Sequence, residues 1–376
     1  MAAHRVGVEV TATVQSSRTP RSPESRAAIL DPARGPRYPA GVTLPLEAHL
    51  RRPLPRRPLA RLPSPLESHP ALAAECGLAS FLVKRDDLAG GNKRRALEWL
   101  LPAAGPALVT MGAYGSTWCA ALAAATGGTG QRAEVALFPQ PWSAAVAGAL
   151  GTTVAGAGVH LATRRWQLPL AVACAWRAAR RHGPVTWLPA GGATPLGVLG
   201  SVNALLECAG QLTAEGFPRP EAIVVPYGSG GTAAGLLVGA GLLGWPVTIV
   251  AVRVTDPWFT TRRRILSLAA RTRALLGAPA GAATLRLDGA QLGAGYGHDT
   301  TAAATARVRL AERGILLDAT YSAKACAAVR SLAGSFRHVC FWHTFDPSLV
   351  APPMDHPVLR DAHRYAESLW PPPTST

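Results

Sequence analysis

A chain of 376 residues that is 48% hydrophobic and 16% charged can bury a full core in one or two domains, which excludes a protein disordered throughout. Its formal charge of +16 is divided between an N-terminal Arg/Pro segment and separate runs such as Arg262 to Arg264, without interleaved aromatics; such runs are solvated faces, and the field suits an anionic ligand, not a nucleic acid. Every apolar run is broken by Gly, Pro, Thr or Arg short of the roughly 18 to 20 residues of a membrane span, and Cys76, Cys119, Cys174, Cys208, Cys326 and Cys340 lack the spacing of a zinc site or disulfide framework.

Residues 1–60 are rich in Pro, Arg and Ser and poor in large apolar groups, so they predict a disordered arm. They contain no apolar stretch after a basic start, and Glu9, Glu24 and Asp31 interrupt the basic run, so a cytoplasmic protein is expected. From about Leu62 short β-branched runs alternate with Ala/Leu-rich segments, the pattern of an α/β fold with parallel strands. Strands are predicted at 80–84, 107–111, 133–138, 154–157, 222–226 and 248–254, and helices at 93–103, 116–125, 142–150, 168–182 and 232–243. Glycines 235, 239 and 241 in the last helix cost stability unless close packing or a ligand compensates.

Two segments carry candidate chemistry. In Lys84-Arg85-Asp86-Asp87-Leu88-Ala89-Gly90-Gly91-Asn92-Lys93, a lysine follows two glycines and Asn92 at a helix start. A cation is disfavoured at the positive end of a helix dipole, so Lys93 either projects to solvent as an ordinary surface lysine or is relieved by losing its charge, as in a Schiff base. The second segment, Tyr227-Gly228-Ser229-Gly230-Gly231-Thr232, follows a strand and opens a helix. Its glycines let successive N–H groups converge, and the Ser229 and Thr232 hydroxyls can donate, which makes an anion cradle; a tight turn without ligand is the alternative. Gly228-x-Gly230-x-x-Ala233 with Asp256 after the next strand also fits part of a dinucleotide fingerprint, which leaves a nicotinamide-dependent oxidoreductase open.

Together with Gly191-Gly192, Gly197, Gly200, Tyr296-Gly297 and Leu317-Asp318-Ala319-Thr320-Tyr321-Ser322-Ala323-Lys324, these segments resemble the family of 1-aminocyclopropane-1-carboxylate deaminase and D-cysteine desulfhydrase from about Leu62 to His343. Members are pyridoxal-phosphate (PLP) enzymes of the tryptophan synthase β-subunit fold. The resemblance implies fold type II: two open parallel-sheet domains in a catalytic region over 61–350, with a small domain at about 105–205 inserted in the larger one, a C-terminal tail over 351–376 and a homodimer. It implies that Lys93 carries PLP and moves the α-proton of a small amino acid, and that Asn92, Thr117 and the loop Gly228, Ser229, Gly230, Gly231 and Thr232 bind the cofactor. Ser116 would receive the substrate carboxylate, Tyr321 would face the cofactor ring, and Tyr296 would be a further active-site tyrosine, although both also fit half-buried core tyrosines. Ser322 stands where the deaminase proper has a glutamate and desulfhydrase-like members a hydroxyl, which implies a less electron-withdrawing cofactor and favours α,β-elimination to a 2-oxo acid and ammonia over cyclopropane opening.

The chain departs from the family at Gly115-Ser116-Thr117-Trp118, where relatives carry Gln-Ser-Asn-His, and at His343-Thr344-Phe345-Asp346, where they carry His-Thr-Gly-Gly. These changes leave altered specificity, deaminase activity, or a PLP-binding protein with altered or lost activity open beside the elimination. Asp346 is expected to cap a turn and His343 to be structural.

Overall fold

Buried runs rich in Ile and Val, such as Ala222-Ile223-Val224-Val225, form strands covered on both faces, and they organise two sheets wrapped by Ala- and Leu-rich helices. The computed structural model describes residues 45–352 and 354–371, so the arm expected over 1–44 lies outside the described residues. In chain order come β1 (Leu66–Ser68), α1 (Pro70–Glu75), β2 (Ser80–Arg85), α2 (Gly91–Leu100), β3 (Ala107–Ala113), α3 (Thr117–Thr126), β4 (Arg132–Phe138) and α4 (Ala144–Gly156). Next are β5 (Gly158–Leu161), α5 (Leu168–Ala179), β6 (Val185–Trp187), α6 (Pro195–Ala214), β7 (Ala222–Tyr227), α7 (Gly231–Leu243) and β8 (Thr248–Arg253). The last are α8 (Arg262–Leu276), β9 (Thr284–Asp288), α9 (Thr301–Ala311), α10 (Ser322–Ala328), β10 (His338–His343) and α11 (Pro357–Glu367).

The larger sheet has the order β1-β2-β10-β7-β8-β9 and is parallel except at edge strand β1; the smaller, β5-β4-β3-β6, is parallel throughout. In sequence the smaller sheet lies wholly between β2 and β7. It ends at Trp187, and α6, whose N-terminal half falls within the 105–205 expected for the small domain, packs instead into the core of the larger sheet with Ile223 and Val225. The helix glycines find their reason here: a Cβ on Gly235 of α7 would lie 2.4 Å from Ser201 Cβ of α6, so only glycine allows this approach.

Three expectations are corrected. The strand predicted over 154–157 belongs mostly to α4: the β-branched Thr152-Thr153-Val154 resembles a strand, but Thr153 satisfies its hydroxyl on the Ala149 carbonyl at 2.8 Å and the helix continues to Gly156. Residues 45–60, placed in the disordered arm, join the core; Leu46 and Ala60 are buried, and the Leu46 amide donates to Asn203 Oδ1 at 3.1 Å. Within the expected tail, α11 buries Leu359, Ala362 and Ala366, one helical face.

The Lys84-Arg85-Asp86-Asp87 run proves structural. Glu207 of α6 accepts from Lys84 Nζ at 2.6 Å and Arg95 Nη2 at 3.0 Å, while Asp86 accepts from Arg95 Nε at 3.0 Å and Trp342 Nε1 at 2.8 Å. All five are buried. Burial alone would raise the Glu207 carboxyl, but Arg95 and Lys84 outweigh it and hold it down at about 2. The network clamps α2 to β2, β10 and α6, and so sets where the start of α2 points.

Candidate active site

That start opens onto a cavity of about 310 Å³, where the N-termini of α2, α3 and α7 meet the ends of β3 and β7. Gly90 and Gly91, at φ 95° and 73°, turn the chain into α2, and Lys93, its third residue, lines the cavity beside Asn92. Among the described residues Lys93 makes no hydrogen bond or ion pair. Burial pushes its ammonium down from 10.5 to about 8, against the pull of Asp318. By accessibility Lys93 is half-buried in the cavity wall.

The glycine loop has the cradle geometry read from its sequence. Gly228, Ser229, Gly230, Gly231 and Thr232 all line the cavity, Gly230 turns at φ 91°, and α7 leaves its first N–H groups without intrahelical partners. Asn92 Nδ2 donates to Thr232 Oγ1 at 2.8 Å, which ties the lysine's helix to the loop. Gly191 presses on the loop from the other segment: a Cβ there would lie 2.3 Å from Ser229 Oγ.

Tyr296 and Tyr321 both reach the cavity and share a hydrogen bond, hydroxyl to hydroxyl, at 2.7 Å. Burial pushes Tyr296 up to about 12 and Tyr321 well above its ordinary value, so both are neutral at physiological pH. Ser322 is not part of the lining. Its hydroxyl is given to Asp318 Oδ1 at 2.6 Å, and Asp318, which accepts four donors in all, faces the cavity instead. Ser116 and Thr117 line the opposite helix start, where Ser116 caps α3 by accepting from the Cys119 amide at 3.3 Å. Trp118 sends its indole N–H to Thr110 Oγ1 at 2.8 Å and packs in the core over Gly192, touching the cavity only with part of its ring.

Phe345 lines the cavity, while Asp346 caps the following turn by accepting from the Ser348 amide at 3.0 Å and pairs with Arg94 at 3.3 Å. His343 is buried, bonded to the Leu316 carbonyl at 3.0 Å. Sequence reasoning assigned no role to Asp318, although an Asp four residues before a helix-starting Ser signals a cap. It also missed Arg165, Phe138 and Trp258 in the lining; they sit on three separate loops and strand ends and share no local pattern. All six cysteines are free thiols, and no helix among the described residues is long and apolar enough to cross a membrane.

A lysine sharing a cavity wall with a glycine-rich loop, between two largely parallel sheets, fits an enzyme that carries an aldehyde cofactor with a phosphate. The chain belongs to the family of pyridoxal-phosphate dependent enzymes, whose pattern matches residues 58–344. It is 35% identical to nocardicin C-9' epimerase of Nocardia uniformis subsp. tsuyamanensis, over 77% of this chain and 92% of the relative. It is 31% identical to D-cysteine desulfhydrase of Salmonella choleraesuis (strain SC-B67), over 75% of this chain and 89% of the relative. The crystal structure of an ACC deaminase homologue superposes with a TM-score of 0.69 at 26% identity, over 81% of this chain and 95% of that one. The fold type II architecture and the PLP-dependent lyase or deaminase class expected from the sequence both stand; the nicotinamide reading does not.

Proposed function

We propose that PLP binds with its phosphate on Gly228–Thr232 and Lys93 as its covalent carrier, and that the enzyme eliminates a substituent from the β-carbon of an amino acid. The observation that carries this reading is Lys93, an unpaired amine with a pKa of about 8 on the same cavity wall as the cradle. The residues fit the cofactor: the lysine can be neutral near physiological pH, the loop offers N–H groups to an anion, and Gly191 keeps the cradle free of a side chain. When bound, PLP supplies an electron sink at the amino acid's α-carbon.

In this reading Ser116, at the positive end of α3, receives the substrate carboxylate, and Thr117 beside it contacts the cofactor. Lys93 accepts the α-proton as a neutral amine. Tyr321, oriented by Tyr296, gives its proton to the leaving group as the bond to the β-carbon breaks and the electron pair departs with that group. Water then supplies the oxygen of the 2-oxo acid, and ammonia leaves. Asp318, steadied by Ser322, holds Lys93 in the cationic form once the proton has been taken. The protein would work as a cytoplasmic homodimer, which light scattering at twice the chain mass checks for the oligomer.

A second reading, epimerisation at the α-carbon, is favoured by the epimerase among the relatives, because it needs the same proton removed and then returned on the opposite face. Incubation with D- and L-cysteine in D₂O separates the two. Sulfide and pyruvate, with a visible absorbance band on added PLP that Lys93→Ala abolishes, are expected for elimination; deuterated, inverted cysteine without sulfide would point to epimerisation. A band unaffected by Lys93→Ala would remove the lysine assignment.

A further inference from the structure

Beside the first cavity lies a second, of about 510 Å³, and the two share Arg165, Asp256 and Tyr296. Arg164, Trp166, His298 and Trp370 line only the second. Arg165 bridges them: its guanidinium stands over the Phe138 ring of the first cavity at 5.6 Å and pairs with Asp256 at 3.3 Å. Two indoles stand at these rims largely in water, Trp166 at 74% and Trp258 at 79% exposure. An aromatic ring left in water forgoes the burial that normally stabilises it, and two of them beside arginines have the composition of a recognition surface. Arg164 and Arg165 both line the second cavity, where Asp256 pairs with Arg165.

An amino acid of a few heavy atoms, held in the first cavity by Ser116 and Lys93, would leave Arg164, Trp166, His298 and Trp370 uncontacted, because these line only the second. We infer that the substrate is an amino acid whose side chain carries an aromatic ring and an anionic group, and that this extension passes Arg165 into the second cavity, where it stacks on Trp166 and meets Arg164. The inference deepens the reading of the first cavity and rests on it. It makes Trp166 and Arg164 specificity-determining residues that take no part in the proton transfers.

The test compares alanine with 4-carboxyphenylalanine, neither of which has a β-leaving group, both enantiomers of each, by α-proton exchange in D₂O with the PLP-loaded enzyme. The aryl compound is expected to exchange with a kcat/KM about tenfold or more above alanine, and Trp166→Ala and Arg164→Ala to remove about tenfold of that for the aryl compound while changing alanine less than about twofold. Equal rates for the two compounds, or equal losses in the variants, would overturn the inference and leave the chemistry proposed for the first cavity standing. If neither compound exchanges, the reading of the first cavity is what fails. Quenching of tryptophan fluorescence by the aryl compound, expected for the native protein and not for Trp166→Ala, then decides the extension without turnover; no quenching in either would overturn it.

Discussion

Lys93 occupies a position that a folded protein has no stability reason to keep. It sits in the first turn of α2, where the dipole opposes a cation, and burial has lowered its pKa from 10.5 to about 8. Because the folded state binds this proton more weakly than the unfolded chain, the residue costs stability below about pH 8, and the cost disappears as pH rises from 8 towards 10.5. Lys93→Met should therefore stabilise the cofactor-free protein at pH 7 by about 1–2 kcal/mol, discounted for partial exposure, and by almost nothing at pH 10.5; urea titrations of both proteins at the two pH values check it. The sequence showed this residue because its oddity is local, a lysine after Gly-Gly-Asn at a helix start. Asp318 shows the opposite case. Its carboxylate matters through what it faces in the cavity, and only the folding of the 318–322 turn against α2 sets that.

At the scale of elements, strand-to-helix turns do most of the positioning, since β7 and its glycine loop deliver α7's N-terminus to the same place as α2 and α3. The loop depends on a neighbour far from it in sequence. Gly191 lies at φ 71°, and a Cβ there would be 2.3 Å from Ser229 Oγ and 2.7 Å from Ser229 Cβ. Gly191→Ala should strain that turn, displace Ser229 and weaken PLP binding by about tenfold or more, at a cost to stability of about 1–3 kcal/mol. Fluorescence titration with PLP, alongside a far-UV spectrum like that of the native protein, reads the two effects separately. The glycines of the Gly228–Gly231 loop were legible as a cradle because their density exceeds what a turn requires, whereas the role of Gly191 needed its tertiary partner. The misreading of Val154 has a similar origin: β-branched residues favour strands only where no preceding helix carries them along.

At the scale of the molecule, the buried ion network decides how the helix bearing Lys93 sits on the larger sheet. Glu207 joins Lys84 and Arg95 from elements more than a hundred residues away, at 2.6 and 3.0 Å. Removing its charge leaves Lys84 without its carboxylate partner and Arg95 with Asp86 alone, so Glu207→Gln should destabilise the protein by about 3–5 kcal/mol. The folded-state pKa of about 2 lies below the ordinary 4.5, so the contribution of Glu207 is present above about pH 4.5 and lost as pH falls towards 2. The native protein should accordingly lose stability across that window more steeply than the variant, as measured by thermal unfolding between pH 5 and 2.

The sequence alone determined the α/β class and offered the carrier lysine and the anion loop as candidates, because each depends on residue types at short, fixed spacings that shape the backbone locally; the tyrosine pair came from the family resemblance. Tertiary structure alone decided what those residues meet. It turned Lys84-Arg85-Asp86-Asp87 from a motif into a clamp and handed the cavity face expected of Ser322 to Asp318. It drew Leu46 and α11 into the core from stretches read as arm and tail, and it set a second cavity beside the first. These outcomes rest on contacts between segments far apart in the chain, where burial and the pairing of buried charges select one arrangement that no local pattern encodes.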